Sequence, residues 1–194
     1  MTRHDFQTIA GWVKPGARVL DLGCGDGTLL KYLQDERQVK GYGVELTDAN
    51  ILASVKHGVN VIQSDLEAGL SVFESGSFDS VILSQTLQAM RHTEPILREM
   101  LRVGREGIVT FPNFGYWKNR LQVVRGHMPV SDDIPYQWYD TPNVHLCTMA
   151  DFEALCAQLG IRIRERVVMT AGKQVNFLQN LTGSLAVYRF ETAR

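Results

Sequence analysis

Val19-Leu20-Asp21-Leu22-Gly23-Cys24-Gly25-Asp26-Gly27-Thr28 is the stretch that determines the fold expected for this chain. Its first four residues are typical of a short buried strand, its three glycines of a sharp turn, and Thr28 of a helix start. Glycine lacks a Cβ atom, so the backbone of such a turn bends sharply and lets a ligand come close. The N–H groups at the helix start carry the positive end of the helix dipole. We therefore expect a ligand with a negative or polar head group at this turn.

The spacing of the glycines indicates which ligand this is. A dinucleotide fingerprint requires Gly-x-Gly-x-x-Gly, whereas the third glycine here, Gly27, comes one position early. Asp21 lies at the strand end, where its carboxylate would repel a pyrophosphate but attract the ammonium of a methionyl group. A nicotinamide-dependent oxidoreductase is therefore disfavoured. The pattern Asp-x-Gly-x-Gly-x-Gly resembles the S-adenosylmethionine (SAM) turn of class I methyltransferases.

The composition favours a single globular domain in the cytoplasm. The chain has 194 residues and a net charge of −1, so we expect one domain, residues 1–194, and no basic face for nucleic acid. No apolar run approaches the ~20 residues of a membrane span, and no signal peptide is expected. Cys24, Cys147 and Cys156 are odd in number and lack metal-ligand spacing, which predicts a reducing compartment. We expect Cys24 to be a small buried residue rather than an acidified thiol.

Strand and helix patterns alternate along most of the chain. This alternation predicts an α/β, doubly wound, Rossmann-like fold with a mostly parallel seven-stranded sheet. Five parallel strands are expected within residues 18–22, 41–45, 60–63, 78–84 and 107–111. Two further runs, 162–169 and 185–190, are expected to form an antiparallel terminal hairpin at the sheet edge.

The alternation stops after Phe111, and the segment at about 112–147 contains no clear strand–helix unit. It holds four of the six prolines and two of the three tryptophans. Its aromatic content argues against disorder, and loops this long in a compact domain usually serve a function. A short helix is expected over 116–125, with Trp117, Leu121 and Val124 on one side. We interpret the segment as a lid over the carboxyl ends of the strands.

Polar residues follow four consecutive strands of the predicted sheet. Ligands of open α/β sheets bind at these carboxyl ends, near the point where the strand order reverses. Asp21 is expected to hold the methionyl ammonium, Glu45 both ribose hydroxyls and Asp65 the adenine amino group, while Ser84 and Gln85 face the methionyl end. Alone, each has a structural explanation as a strand end, a helix cap or a turn residue, but their order predicts nucleoside binding. The predicted cofactor-binding residues are Asp21, Gly23, Cys24, Gly25, Gly27, Glu45, Leu46, Asp65, Leu66, Ser84 and Gln85.

Catalytic residues are harder to predict, because methyl transfer needs mainly an aligned nucleophile and a dry site. His127 and His145 are the candidates for a general base, although His145 is better explained by a bond to a loop carbonyl. Asp132 and Asp133 lack a third ligand at useful spacing, so a solvated turn is expected there and no metal site.

Three further motifs carry a closer resemblance: Val81–Gln88 (VILSQTLQ), Phe111–Trp117 (FPNFGYW) and Pro135–Asn143 (PYQWYDTPN). Together with the glycine turn they resemble the MetW family of methionine-biosynthesis proteins over nearly the whole chain. The resemblance implies a SAM-methyltransferase fold, SAM or S-adenosylhomocysteine as cofactor, and homoserine O-acyltransferase (acetyl- or succinyl-) as partner. It implies no known methyl acceptor. Two hypotheses follow: a protein that activates or regulates the acyltransferase, or a SAM-dependent methyltransferase acting on a small acceptor under the lid.

Overall fold

The computed structural model describes residues 3–193, and eight strands of this part form one sheet. Residues 1, 2 and 194 of the predicted domain lie outside the described residues. The strands are β1 (Arg18–Leu22), β2 (Lys40–Glu45), β3 (Val61–Gln63), β4 (Phe78–Ser84), β5 (Gly104–Pro112), β6 (Ile161–Thr170), β7 (Lys173–Gln174) and β8 (Leu185–Thr192).

Helices connect most of these strands. They are α1 (His4–Trp12), α2 (Thr28–Arg37), α3 (Asp48–Lys56), α4 (Thr93–Val103), α5 (Trp117–Val124), α6 (Met149–Gln158) and α7 (Gln179–Thr182), with 3-10 turns at Leu66–Ala68 and Leu87–Ala89. None of the helices in the described part is long and apolar enough to span a membrane.

The strand order β3-β2-β1-β4-β5-β8-β6-β7 confirms the doubly wound α/β fold. Strands β1 to β5 are parallel, and β8 lies antiparallel between β5 and β6. The order reverses between β1 and β4, so the connections leaving these two strands run to opposite sides and open a crevice at their carboxyl ends. The predicted site lies at this crevice.

The sheet has eight strands, so the prediction of seven was wrong by one. The extra strand, β7, pairs with the end of β6, and the chain reverses between them through Ala171-Gly172. Both loop residues have positive φ, 49° and 74°, as tight hairpin turns require. Ala-Gly is a weaker turn signal than Asn-Gly, and a strand of two residues has no periodicity to recognise. The antiparallel pairing of β6 with β8 is confirmed, with β7 and α7 lying between them along the chain.

Two apolar clusters cover the two faces of the sheet. On β4, Ile82 packs into the cluster beneath α1 and α2, whereas Val81 and Leu83 pack into the cluster beneath α4 and α6. Because central parallel strands are covered on both faces, they read as continuous apolar runs. This explains why β4 was recognisable in the sequence.

The 112–147 segment contains α5 and one isolated bridge, Ser131 to Ile134, and otherwise follows an irregular path. The predicted helix at 116–125 is therefore confirmed. Its apolar residues face outward, however, since Trp117, Leu121 and Val124 are 45%, 37% and 84% exposed. The helix is held instead by the buried Asn119, whose amide donates to the carbonyl of Asn113 (3.3 Å).

Candidate cofactor site

The glycine turn joins β1 to α2 and packs against the end of β2. The backbone N–H groups of Gly23 and Cys24 both donate to the carbonyl of Val44, at 2.8 and 3.1 Å. Gly25 has a φ of 56° and no atom within 4 Å of where its Cβ would lie, so space for a ligand opens above it. At Gly27 the φ is 78°, and a Cβ would lie 2.9 Å from the Ser54 hydroxyl of α3. One glycine therefore faces open space, while the other allows two helices to pack.

Two adjoining cavities open at this turn. The first, of about 310 Å³, is the glycine cavity, formed between α1 and the end of β1 and lined by Asp21 and Cys24. The second, of about 860 Å³, is the strand-end cavity, formed at the ends of β2, β3 and β4. Their common lining residues are Arg3, Gly23, Gly25 and Ser84. An elongated ligand can therefore extend from one cavity into the other.

The structure brings ten of the eleven predicted cofactor residues to these cavities. Those lining at least one of them are Asp21, Gly23, Cys24, Gly25, Glu45, Leu46, Asp65, Leu66, Ser84 and Gln85. Gly27 lines neither, because it lies behind the turn against Ser54.

Asp21 is the most unusual residue of the site. Its side chain is 1% exposed, and its Oδ2 atom has no hydrogen-bond partner among residues 3–193. Burial raises the pKa of this carboxyl to about 7, against the lowering effect of Arg3 and with a further rise from Glu45. A buried acceptor without a partner is costly to folding. The ammonium group of a ligand would supply the missing partner, which fits the methionyl end of SAM.

Glu45 ends β2 as a nearly buried carboxylate with several donors. One oxygen accepts from the backbone N–H of Gly25 (3.0 Å), and the other from the N–H groups of Leu46 (2.9 Å) and Thr47 (3.0 Å) and the Thr47 hydroxyl (3.0 Å). Burial opposes its ionisation, but hydrogen bonds from Thr47, Leu46 and Gly25 outweigh this and hold its pKa below the usual range. Glu45 is therefore a fixed negative charge beside the turn.

The remaining predicted residues lie where strands β3 and β4 end. Asp65 caps the turn Leu66–Ala68 by accepting from the N–H of Glu67 (2.9 Å) and lines the strand-end cavity. At the end of β4, Gln85 has a φ of 51°, a left-handed conformation that is strained for a residue with a side chain. Such strain is concentrated at functional sites, and Gln85 lies at the junction of two cavities.

Sequence reasoning missed several residues that line the site, of which Arg3 and Tyr136 come from outside the strand ends. Arg3 lines both cavities, and its guanidinium donates to the buried Asp5 carboxylate (3.2 Å) and to the Ser84 hydroxyl (2.9 Å). Tyr136 reaches the strand-end cavity from the 112–147 segment. Nothing in the local sequence of Arg3 marks it as a site residue, since it lies outside every strand end.

A third cavity, of about 580 Å³, lies beside the first two and is lined from the 112–147 segment, α1 and the ends of β6 and β8. We call it the lid cavity. It shares Arg3 with both other cavities and Gln85 with the strand-end cavity. Its charged lining includes Lys118, Asp132 and Asp133.

The two histidines considered as bases line none of these three cavities. His145 places its Nε2 atom 3.3 Å from the carbonyl oxygen of Arg91, and His127 is exposed after α5. Cys24 is buried in the turn, where burial and the nearby Asp21 raise the pKa of its thiol to about 12. No group of metal-ligating side chains occurs within residues 3–193. The geometry therefore supports a cofactor site without identifying a general base.

Comparisons with known proteins place nearly the whole chain beside proteins of one family. The family described as "Methionine biosynthesis protein MetW" matches residues 3–190. A relative from Rhodopirellula baltica, the "Bifunctional methionine biosynthesis protein MetXA/MetW", is 40% identical over 173 residues, which cover 84% of this chain and 28% of the relative. The chain thus spans little more than a quarter of that relative's length.

Solved structures share the fold. A SAM-dependent methyltransferase from Archaeoglobus fulgidus superposes with a TM-score of 0.72 at 15% identity, covering 96% of this chain and 91% of its own. One from Thermotoga maritima has a TM-score of 0.69 at 18% identity, covering 98% and 88%. These likenesses establish the Rossmann-like methyltransferase fold. The family match over nearly the whole chain establishes the family as well. The chain belongs to the MetW family of methionine biosynthesis proteins.

Proposed function

We propose that SAM, or S-adenosylhomocysteine, binds across the glycine and strand-end cavities. In this arrangement Asp21 holds the methionyl ammonium and Glu45 accepts hydrogen bonds from the ribose hydroxyls. Asp65 and Leu66 contact the adenine, and Ser84 and Gln85 contact the methionyl end. Arg3, which lines both cavities and whose guanidinium donates to Ser84, is the cation we assign to the methionyl carboxylate.

The observation that carries this proposal is the unpartnered Oδ2 atom of Asp21. Desolvating a carboxyl without a partner costs free energy that an ammonium group returns on binding. A dinucleotide would place its pyrophosphate against this carboxyl instead, where like charges repel. Measuring the binding of each ligand therefore distinguishes a SAM site from a dinucleotide site.

Calorimetric titration tests the cofactor assignment. We expect S-adenosylhomocysteine and SAM to bind at one site per chain, with no heat of binding from NAD or NADP. The assignment would be refuted if NAD or NADP bound and neither SAM nor S-adenosylhomocysteine displaced it.

We further propose that the chain acts with a homoserine O-acyltransferase, which it activates or regulates. The support is the name of the Rhodopirellula baltica relative, in which MetXA, a homoserine acyltransferase, and MetW are joined in one polypeptide. When two domains are joined in one chain, the linker keeps them at a high effective concentration. Where the same two proteins are separate chains, we expect them to associate through direct binding instead. SAM binding would then change the affinity of the chain for its partner, and partner binding would change the affinity for SAM by the same factor.

The surface we assign to this partner is the outer face of α5, formed by Trp117, Leu121 and Val124. Residues spaced by four and three positions lie on one side of a helix, and each of these three is more than a third exposed. Arg120 of α5 and residues of α7 line a common depression, and Leu178, which also lines it, is exposed. Apolar patches of this kind mark protein interfaces.

Co-elution with the cognate acyltransferase tests this surface. We expect the double variant Leu121→Asp, Val124→Asp to lose the complex while keeping SAM binding. Val72→Asp is the matched control, since Val72 is also an exposed valine (71%) but lies outside this surface. Equal retention of the complex by both variants would exclude α5 from the interface.

One observation favours the second candidate function, SAM-dependent methyl transfer to a small acceptor. The lid cavity meets the proposed cofactor site at Arg3 and Gln85, so a molecule held there would lie next to the methionyl end. Transfer of labelled methyl from SAM to small metabolites tests it, and its absence with SAM binding intact favours the regulatory function. We place either function in the cytoplasm, in keeping with free thiols at Cys24, Cys147 and Cys156.

A further inference from the structure

The lid cavity has a charge pattern that the cofactor does not use. Lys118 contributes an ammonium from α5, and Asp132 and Asp133 contribute carboxylates from the loop that follows. None of these three forms an ion pair within residues 3–193. Arg3 also lines the cavity, but Asp5 neutralises it. The charges without an ionic partner are therefore two anions and one cation, Lys118, whose Nζ atom lies 5.9 Å from the centroid of the exposed Trp117 ring.

A second, independent feature is Tyr116. This residue is 6% exposed, yet it lines the cavity, and its hydroxyl has no hydrogen-bond partner in the described part of the chain. The Tyr116 hydroxyl is not among the fully buried unpartnered atoms of residues 3–193, so it is accessible and can bond a ligand in the cavity. The amide of Gln85, at the boundary with the cofactor site, likewise has no protein partner there. These groups point to a polar ligand.

From these features we infer that the lid cavity binds a small α-amino acid with a polar side chain, as a zwitterion. The ligand ammonium lies between the carboxylates of Asp132 and Asp133, and its carboxylate pairs with Lys118. The excess of one negative charge rejects anions such as phosphates. Ser131, Thr170 and Gln122 supply hydroxyl and amide groups that can bond a polar ligand side chain, beside apolar lining residues such as Met169 and Leu185.

The experiment is a titration of the ligand-free protein with small-molecule probes, in which calorimetry or saturation-transfer NMR detects binding. The probes are L-homoserine, L-threonine and L-glutamine at up to millimolar concentrations. Two further probes each lack one charged group of homoserine: 3-amino-1-propanol lacks the carboxylate, and γ-hydroxybutyrate lacks the amino group. We expect saturable binding of at least one amino acid, weaker binding of the amine and no binding of the acid. No binding of any amino acid, or equal binding of the amine or acid, overturns the inference.

Variants separate this site from the methionyl end of the cofactor site. We expect Lys118→Gln and the double variant Asp132→Asn, Asp133→Asn each to weaken binding by roughly tenfold or more, as for a lost charged hydrogen bond. Lys14→Gln and Glu36→Gln, at exposed positions outside every cavity described, are the controls. Asp21→Asn should leave this binding unchanged. If Asp21→Asn abolishes it and the lid variants do not, the amino acid occupies the methionyl position and the inference is wrong.

Discussion

Replacing Asp21 by Asn is expected to stabilise the ligand-free protein at alkaline pH and to weaken SAM binding. Burial raises the pKa of the Asp21 carboxyl from 3.8 to about 7 in the folded protein. The folded state therefore binds more protons than the unfolded state between pH 4 and 7, and the free energy of unfolding falls as the pH rises through this interval. At about 1.4 kcal/mol per pKa unit, the loss at pH 8 reaches about 4 kcal/mol.

Asn carries no charge in either state, so the variant avoids this loss. We expect little change in the free energy of unfolding at pH 4 and a gain of up to about 4 kcal/mol at pH 8, or a rise in Tm of about 8–16 °C. The gain is an upper value, because the amide also lacks a partner. SAM affinity should fall by about 1.5–3 kcal/mol, as for a charged hydrogen bond.

Urea denaturation at the two pH values, with calorimetry of SAM binding, measures both effects. Asp5→Asn is the matched control, since Asp5 is equally buried but is paired with Arg3. Its replacement should lower stability rather than raise it. A variant at Asp21 that is less stable than the parent at pH 8 would refute the reasoning, as would unchanged SAM affinity.

Four further outcomes are expected. Affinity for S-adenosylhomocysteine should rise from pH 5 to 8 by up to about tenfold per pH unit below 7, because Asp21 must ionise to hold the ammonium; a flat calorimetric profile would contradict this. Glu45→Ala should weaken SAM binding by about 1–3 kcal/mol, and unchanged affinity would remove the ribose assignment. Trp138→Ala should leave SAM affinity nearly intact, since this ring is 71% exposed, while abolishing engagement of the partner or acceptor; equal loss of both would make the segment structural. Gly27→Ala should destabilise the fold by about 1–3 kcal/mol in denaturant, because the φ of 78° and the Ser54 contact both oppose a Cβ; unchanged stability would contradict this account of Gly27.

The strand ends were predictable because parallel strands covered on both faces leave a strong sequence signal. In β1 the apolar run ends at the glycine turn, and a polar residue after each later strand must then lie at the same edge of the sheet. Asp21, Glu45, Asp65 and Ser84 were located in this way, although nothing in the sequence shows that Asp21 lacks a partner. That property depends on neighbours distant along the chain.

Other features depend on long-range packing that no local pattern encodes. Arg3 reaches the site because α1 packs beside β1 and brings the residue before it to the end of β4, where it meets Ser84. The apolar side of α5 was predictable as a helix face, but its exposure was not, since burial depends on what packs against it. The strand β7 is too short to carry a pattern.

The most direct test of the regulatory function is the activity of the cognate homoserine O-acyltransferase, assayed with and without the purified chain and with and without SAM. The account predicts a change in activity that saturates at a fixed stoichiometry and shifts when SAM is added. No effect on activity together with no detectable complex would contradict it, and methyl transfer to a small acceptor would then become the leading explanation.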